Sequence, residues 1–162
     1  MKRTDVFFDT NIALYLAGPV VAKADISDKL FRGGGVISVQ VLNEFVNVTR
    51  RKYKMEWPKI HLALAGLRAA CKVEPLTTET HDLGIALTGR YRLQVYDGFI
   101  VAAALLAGCK TLYSEDMHDG LVIEGLMIRN PYAAPKRVPE ILSACPLSSL
   151  DFPADGIVPA RN

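Results

Sequence analysis

The chain of 162 residues lacks several features that mark specialised protein classes. It has only three cysteines, Cys71, Cys109 and Cys145, with no Cys-x-x-Cys pair. This excludes a cysteine-rich zinc site or a disulfide framework and predicts reduced, mostly buried thiols. No apolar run approaches the length of about 18 residues that a membrane span needs. Asp5 and Asp9 interrupt the N-terminus before a signal-peptide core forms, so we expect a cytoplasmic protein with no membrane segment.

A large excess of charge of one sign is also lacking. The net charge of +2 excludes a histone-like binder, although it leaves room for a local basic patch. No glycine-rich phosphate loop and no Gly-x-Ser-x-Gly elbow occur in the sequence. Hydrophobic residues make up 50% and charged residues 22%, which is typical of a globular domain. The chain is long enough to bury a core without disulfide or metal support.

Short apolar segments alternate with amphipathic ones along the chain. We predict strands at 5–9, 36–38, 73–76 and 109–114, and one within 121–128 around Gly125. Helices are predicted directly after residue 9 and at 22–32, 38–54, 58–71, 78–90 and 97–107. This alternation predicts an α/β domain with a parallel sheet covered on both faces. Residues 131–162 hold six of the nine prolines, so we divide the chain into a domain at 1–130 and an irregular tail at 131–162, with room for a short helix at 139–145.

Four carboxylates lie where an open parallel sheet binds ligands, beyond the carboxyl ends of its strands. They are Asp9 after the first strand, Glu44 in the helix after the second, Asp97 at the start of the apolar helix, and Asp116 after the strand that ends near Ser114. Taken alone, each has an ordinary structural interpretation as a helix cap, a solvated helix acid or a turn residue.

As a set, these acids favour a metal site. Two carboxylates about 4 Å apart repel one another by about 4 kcal/mol at an effective dielectric constant of about 20, and a hard divalent cation removes that cost. A set of oxygen ligands suits Mg²⁺ or Mn²⁺. Hydrolysis of a phosphodiester by a metal-activated water fits such a site.

Four short segments, in this order, resemble the PIN-domain nucleases, most closely the VapC-type toxins of bacterial toxin–antitoxin pairs. The segments are Phe-Phe-Asp-Thr-Asn at 7–11, Ser-Val-Gln-Val-Leu-Asn-Glu-Phe at 38–45, Tyr-Asp at 96–97 before Ile-Val-Ala-Ala-Ala at 100–104, and Leu-Tyr-Ser-Glu-Asp-Met at 112–117.

The resemblance implies a three-layer α/β/α sandwich with a central parallel sheet. It implies that Asp9, Glu44, Asp97 and Asp116 converge on one or two metal ions, with support from Thr10 and Asn11; Ser114 is a further supporting candidate. The family is typically dimeric, and a cognate antitoxin neutralises it through a peptide that inserts near the active site. Gly98 departs from the family pattern, where a residue such as alanine is more usual, and we expect it to loosen the first turn of its helix.

Three arginines are candidates for binding RNA phosphates: Arg51 in the densest basic run, and Arg90 and Arg92 just before Asp97. The alternative is that they are solvated residues at helix ends.

The sequence thus predicts a Mg²⁺- or Mn²⁺-dependent endoribonuclease, the toxin of a toxin–antitoxin pair. One alternative is a non-catalytic PIN-type domain that binds RNA or protein. Another is a haloacid-dehalogenase-like phosphatase, but such an enzyme needs a second acid two residues after the first, where this chain has Asn11.

Overall fold

The structure, a computed structural model, describes residues 3–134. The strands in this range are β1 (Val6–Phe8), β2 (Gly35–Ser38), β3 (Cys71–Glu74), β4 (Thr111–Tyr113), β5 (Val122–Ile123) and β6 (Leu126–Arg129). The helices are α1 (Thr10–Tyr15), α2 (Val21–Arg32), α3 (Val39–Arg51), α4 (Trp57–Ala70), α5 (Thr78–Tyr91) and α6 (Val95–Leu106). Most of the predicted tail, including 139–145 and Cys145, lies outside the described residues, whereas Cys71 and Cys109 are buried as predicted.

The strands form one sheet in the order β3-β2-β1-β4-β6-β5, flanked by helices, which confirms the α/β/α sandwich. All neighbouring pairs are parallel except β5 and β6. Phe8 pairs with Tyr113, so the residues that follow them, Asp9 and Ser114, leave the sheet side by side at its carboxyl edge.

The prediction of one strand within 121–128 was wrong in detail, because the segment forms an antiparallel hairpin. Glu124 and Gly125 connect β5 to β6, and both have positive φ, at 47° and 89°. This backbone is typical of the tight two-residue turns that match the twist of paired strands. The sheet is therefore parallel with one antiparallel edge strand.

Most helix boundaries follow the local signals that predicted them. Ser38 caps α3 by accepting a hydrogen bond from the backbone N–H of Val41, and Thr77 caps α5 in a capping box with Thr80. The apolar helix α6 departs from its prediction because it begins at Val95, after an N-cap at Gln94. Asp97 is therefore inside the first turn, and its interpretation as the helix cap was wrong.

The hydrophobic core includes both faces of β1 and the buried residues of α6. Phe7 and Phe8 are buried, and so is every residue of α6 from Ile100 to Ala104, which explains why this helix is apolar on all sides. No helix within residues 3–134 is long and apolar enough to cross a membrane.

Candidate active site

Asp9 is the centre of the site and is only 3% exposed. Its Oδ1 accepts a hydrogen bond of 2.6 Å from the backbone N–H of Thr10, so it also caps α1. Its Oδ2 accepts hydrogen bonds from Ser114 Oγ at 2.6 Å and Asn11 Nδ2 at 3.0 Å. Burial raises the pKa of Asp9 to about 7 despite the opposing hydrogen bonds from Ser114 and Thr10, and the charges of two neighbouring acids raise it further.

Asn11 connects Asp9 to the loop that follows β4. Its Nδ2 donates to Asp116 Oδ2 at 3.1 Å as well as to Asp9, and its Oδ1 accepts from the backbone N–H of Glu115 at 3.2 Å. Ser114 fixes the same loop, because its hydroxyl accepts from the backbone N–H of Met117 at 3.2 Å while donating to Asp9. Asn11 and Ser114 thus both donate to Asp9 and contact the loop that carries Asp116.

Asp97 and Glu44 complete the acidic set from two helices. Burial raises the pKa of Asp97 above its usual range, and the charges of Glu44 and Asp116 raise it further. Asp97 and Glu44 are also the two acids whose charges raise the pKa of Asp9. Glu44 is half-buried in α3, where Gln40 Nε2 donates to its Oε1 at 2.8 Å. Electrostatic interactions therefore link Asp9 to Asp97 and Glu44, and link Asp97 to Glu44 and Asp116.

The acids match a divalent cation in charge and in donor type. All their donor atoms are carboxylate oxygens, and every influence on the pKa of Asp97 disfavours its charged form. Within residues 3–134, however, no three acidic, histidine or cysteine side chains lie close enough together to hold a metal ion as they stand. Asp116 is exposed and Asp97 half-buried, so both have room to turn toward a cation.

The other predicted site residues have mixed placements. Thr10 supports Asp9 through its backbone N–H, while its buried hydroxyl has no hydrogen-bond partner among the described residues. Arg51 and Arg92 are exposed. Arg90 does not face the four predicted site acids. Its Nη1 instead lies 2.7 Å from Oε1 of Glu124. Glu124 precedes β6 at the amino edge of the sheet, opposite Asp9.

Sequence reasoning missed several residues around the site. Gln40 lies four residues before Glu44 on the same helix, a spacing that would have indicated the contact. Lys23 and Tyr15, which bind Glu115 beside Asp116, carry no comparable signal, because 92 and 100 residues separate them from Glu115.

The fold is also that of known toxins. It is similar to a chain of a toxin–antitoxin complex from Klebsiella pneumoniae, with 24% identity and a TM-score of 0.60, covering 80% of this chain and 99% of that one. It is similar to VapC20 of Mycobacterium tuberculosis, described as a toxin that cleaves the sarcin–ricin loop, with 19% identity and a TM-score of 0.58, covering 68% and 89%.

A further similar structure is VapBC2 from Rickettsia felis bound to a DNA fragment from its promoter, with 18% identity and a TM-score of 0.53, covering 77% of this chain and 97% of that one. No curated protein sequence matches the chain. The family model of the PIN domain matches residues 6–118, a span that includes all four acids and most of the described sheet. The chain therefore belongs to the PIN-domain family.

Proposed function

We propose that this PIN-domain protein is a metal-dependent endoribonuclease and the toxin of a toxin–antitoxin pair. The observation that carries the proposal is Asp9, a buried carboxylate whose neighbouring acids also disfavour its charge. Burying such a group is costly unless a cation compensates it. The similarity to toxin structures supports the toxin role.

In this proposal Asp9, Asp97 and Asp116 hold Mg²⁺ or Mn²⁺, directly or through water. The bound cation supplies Lewis acidity toward phosphate oxygens and activates water for attack on phosphorus. Glu44 binds the cation or orients the attacking water, and Gln40 holds the Glu44 carboxylate in place. Ser114 and Asn11 keep Asp9 oriented through donated hydrogen bonds.

Arg51 and Arg92 are the RNA-binding candidates that remain. Arg51 follows Glu44 by seven residues on α3, so it lies on the same helix face, about 10 Å further along the axis. Arg92 ends α5 in the left-handed conformation, directly before the segment that leads to Asp97. We leave Arg90 out of this role because its guanidinium pairs with Glu124 at the other edge of the sheet.

We place the antitoxin in an apolar groove of about 360 Å³ between α1, α2, α3 and α4. Leu16, Phe31, Phe45 and Leu67 are among its lining residues. Gly66 lines it too, and a Cβ added there meets nothing within 4 Å. Gly66→Glu should therefore fold normally yet block neutralisation by the product of the adjacent reading frame. Ala65→Glu on the same helix is the matched control.

We also expect the homodimer that the resemblance implies.

The experiment that tests the catalytic proposal is an RNA cleavage time course with the purified protein in Mg²⁺, in Mn²⁺ and in EDTA. We expect cleavage with either metal and none in EDTA. Binding of RNA without cleavage under all three conditions would instead support the non-catalytic alternative. A phosphomonoester substrate should remain intact, in keeping with Asn11 at the position where the phosphatase family needs an acid.

A further inference from the structure

An ion-pair cluster lies against the loop that carries Asp116. Glu115, the neighbour of Asp116, accepts hydrogen bonds from the ammonium of Lys23 in α2 and from the hydroxyl of Tyr15 in α1. Lys23 Nζ also donates to the Tyr15 hydroxyl at 2.9 Å. Only 31% of the Lys23 side chain and 24% of the Glu115 side chain are exposed, so the pair is largely enclosed.

Aromatic rings enclose the Lys23 ammonium further. Its Nζ lies 4.6 Å from the centroid of the Tyr15 ring and 5.4 Å from that of Tyr132, and Ser27 Oγ lies 2.6 Å from the Tyr132 hydroxyl. Lys23 and Glu115 therefore form a largely enclosed salt bridge that two tyrosine rings cover on the side of Lys23.

The cluster connects directly to the candidate active site. The backbone N–H of Glu115 donates to Asn11 Oδ1, and Asn11 donates in turn to Asp9 and Asp116. Tyr15 lies four residues after Asn11 on α1, so one short helix contacts both the backbone and the side chain of Glu115. Both carboxylate oxygens of Glu115 accept hydrogen bonds, Oε1 from Lys23 and Oε2 from Tyr15, so its side chain is held toward α1 and α2.

We propose that Glu115 is a positioning residue rather than a fifth acid of the metal site, and that Lys23 acts through it to hold Asp116 in place. The inference rests on the proposed function, because it assigns these residues a role toward the same cation. Outer contacts of this kind orient the groups that bind a metal, and their loss typically weakens metal affinity by roughly 10-fold to 100-fold.

Two single substitutions distinguish positioning from direct binding. If Lys23 holds Asp116 in place through Glu115, then Glu115→Gln and Lys23→Met break the same link. Both should then weaken Mn²⁺ affinity by roughly 10-fold, and the double variant should be no worse than either one. If Glu115 were itself a ligand, Glu115→Gln would weaken Mn²⁺ binding whereas Lys23→Met, which removes a nearby positive charge, would leave it unchanged or tighten it.

The measurement is Mn²⁺ titration of the full chain followed by electron paramagnetic resonance, with cleavage rates across Mg²⁺ concentrations beside it. Lys23→Arg, which keeps the charge but not the compact ammonium between the tyrosine rings, should weaken Mn²⁺ affinity less than Lys23→Met does. Lys29→Met, at an exposed lysine of the same helix, is the control for charge loss and should bind like wild type. Circular dichroism melts confirm that each variant is folded before titration.

Weaker Mn²⁺ binding in Glu115→Gln with unchanged or tighter binding in Lys23→Met would overturn the inference, and so would unchanged Mn²⁺ affinity in both folded variants. A wild-type protein that binds Mn²⁺ but cleaves no RNA would overturn the proposed function instead. In that case equal weakening in the two variants would still support the positioning role, so the two failures are distinguishable.

Discussion

Asn11 shows how much of the site depends on one uncharged side chain. Its amide donates to Asp9 and to Asp116, and its side-chain carbonyl oxygen accepts from the backbone N–H of Glu115 in the loop that carries Asp116. The amide thus brings two repelling carboxylates together without adding a charge. An acid at this position would lose both donors and add a third negative group.

We therefore expect Asn11→Asp to destabilise the metal-free protein. The loss of hydrogen bonds to a buried acid should lower the free energy of unfolding in EDTA by about 1–3 kcal/mol. Millimolar Mg²⁺ should recover part of this loss because a cation compensates the added charge. Thermal melts in both buffers test the prediction, with Asn43→Asp at an exposed position of α3 as the control. Equal melting temperatures for the two variants in EDTA would contradict it.

At the scale of elements, the contact between α5 and α6 determines where Asp97 lies. A Cβ added at Gly98 would lie 2.1 Å from Thr88 Oγ1 and 2.7 Å from the Gly84 carbonyl oxygen. The first turn of α6 is therefore packed closely against α5. The expectation that Gly98 loosens this turn was wrong, since it considered helix propensity alone and the neighbouring helix decides the outcome.

Gly98→Ala should force the two helices apart. We expect a loss of about 1–3 kcal/mol in stability, as for other overpacked contacts, and slower cleavage because Asp97 moves with α6. The matched control is Gly89→Ala in α5, where an added Cβ meets nothing within 4 Å. There alanine should stabilise the helix by about 0.5–1 kcal/mol. Chemical denaturation of both variants checks this, and stabilisation of both would refute the packing argument.

Elements with strong local signals could be predicted, and those that depend on distant contacts could not. The starts of α3 and α5 were predicted to within one residue, because the caps Ser38 and Thr77 act within a single turn. The hairpin at Glu124 was missed because its turn lacks the usual Asn-Gly or Asp-Gly signal. The start of α6 was predicted two residues late, at Asp97, because Val95 and Tyr96 carry no start signal.

The sequence predicted which acids belong to the candidate site, but it did not predict the hydrogen bonds and ion pairs around them. The order of strands and helices indicated that Asp9 and Asp116 share one edge of the sheet. The hydrogen bond that Ser114 donates to the buried Asp9 joins residues 105 positions apart, and no local sequence signal indicates it. The same holds for Arg90, whose pairing with Glu124 depends on how α5 crosses the sheet.

For the whole molecule, the buried acid predicts a particular dependence of stability on pH. The pKa of Asp9 rises from its ordinary value of 3.8 to about 7 in the folded protein, so between these values the folded state holds a proton that the unfolded state has lost. The free energy of unfolding must therefore fall as pH rises through this window, by at most about 1.4 kcal/mol per pH unit for one group. The raised pKa of Asp97 acts in the same direction.

In EDTA we thus expect the melting temperature to fall from pH 5 to pH 8. Mg²⁺ at about 100 times its dissociation constant should add roughly 2.7 kcal/mol, mostly at the higher pH, and so reduce the slope. Asp9→Asn should flatten the curve in EDTA, whereas Asp25→Asn at an exposed position should leave it as in wild type. A metal-free protein that gains stability over this range would show that Asp9 is charged and compensated in another way.

The most direct test of the central claim is Asp97→Asn, assayed for folding and RNA cleavage on the same preparation. The substitution keeps the size of the side chain, and Asp97 is not the cap of α6, so the melting temperature in EDTA should stay within a few degrees of wild type or rise. Cleavage in Mg²⁺ should fall by at least about 100-fold, the scale expected when one preorganised electrostatic group is lost. A folded Asp97→Asn protein that cuts RNA at the wild-type rate would contradict the assignment of this acidic cluster as the catalytic site.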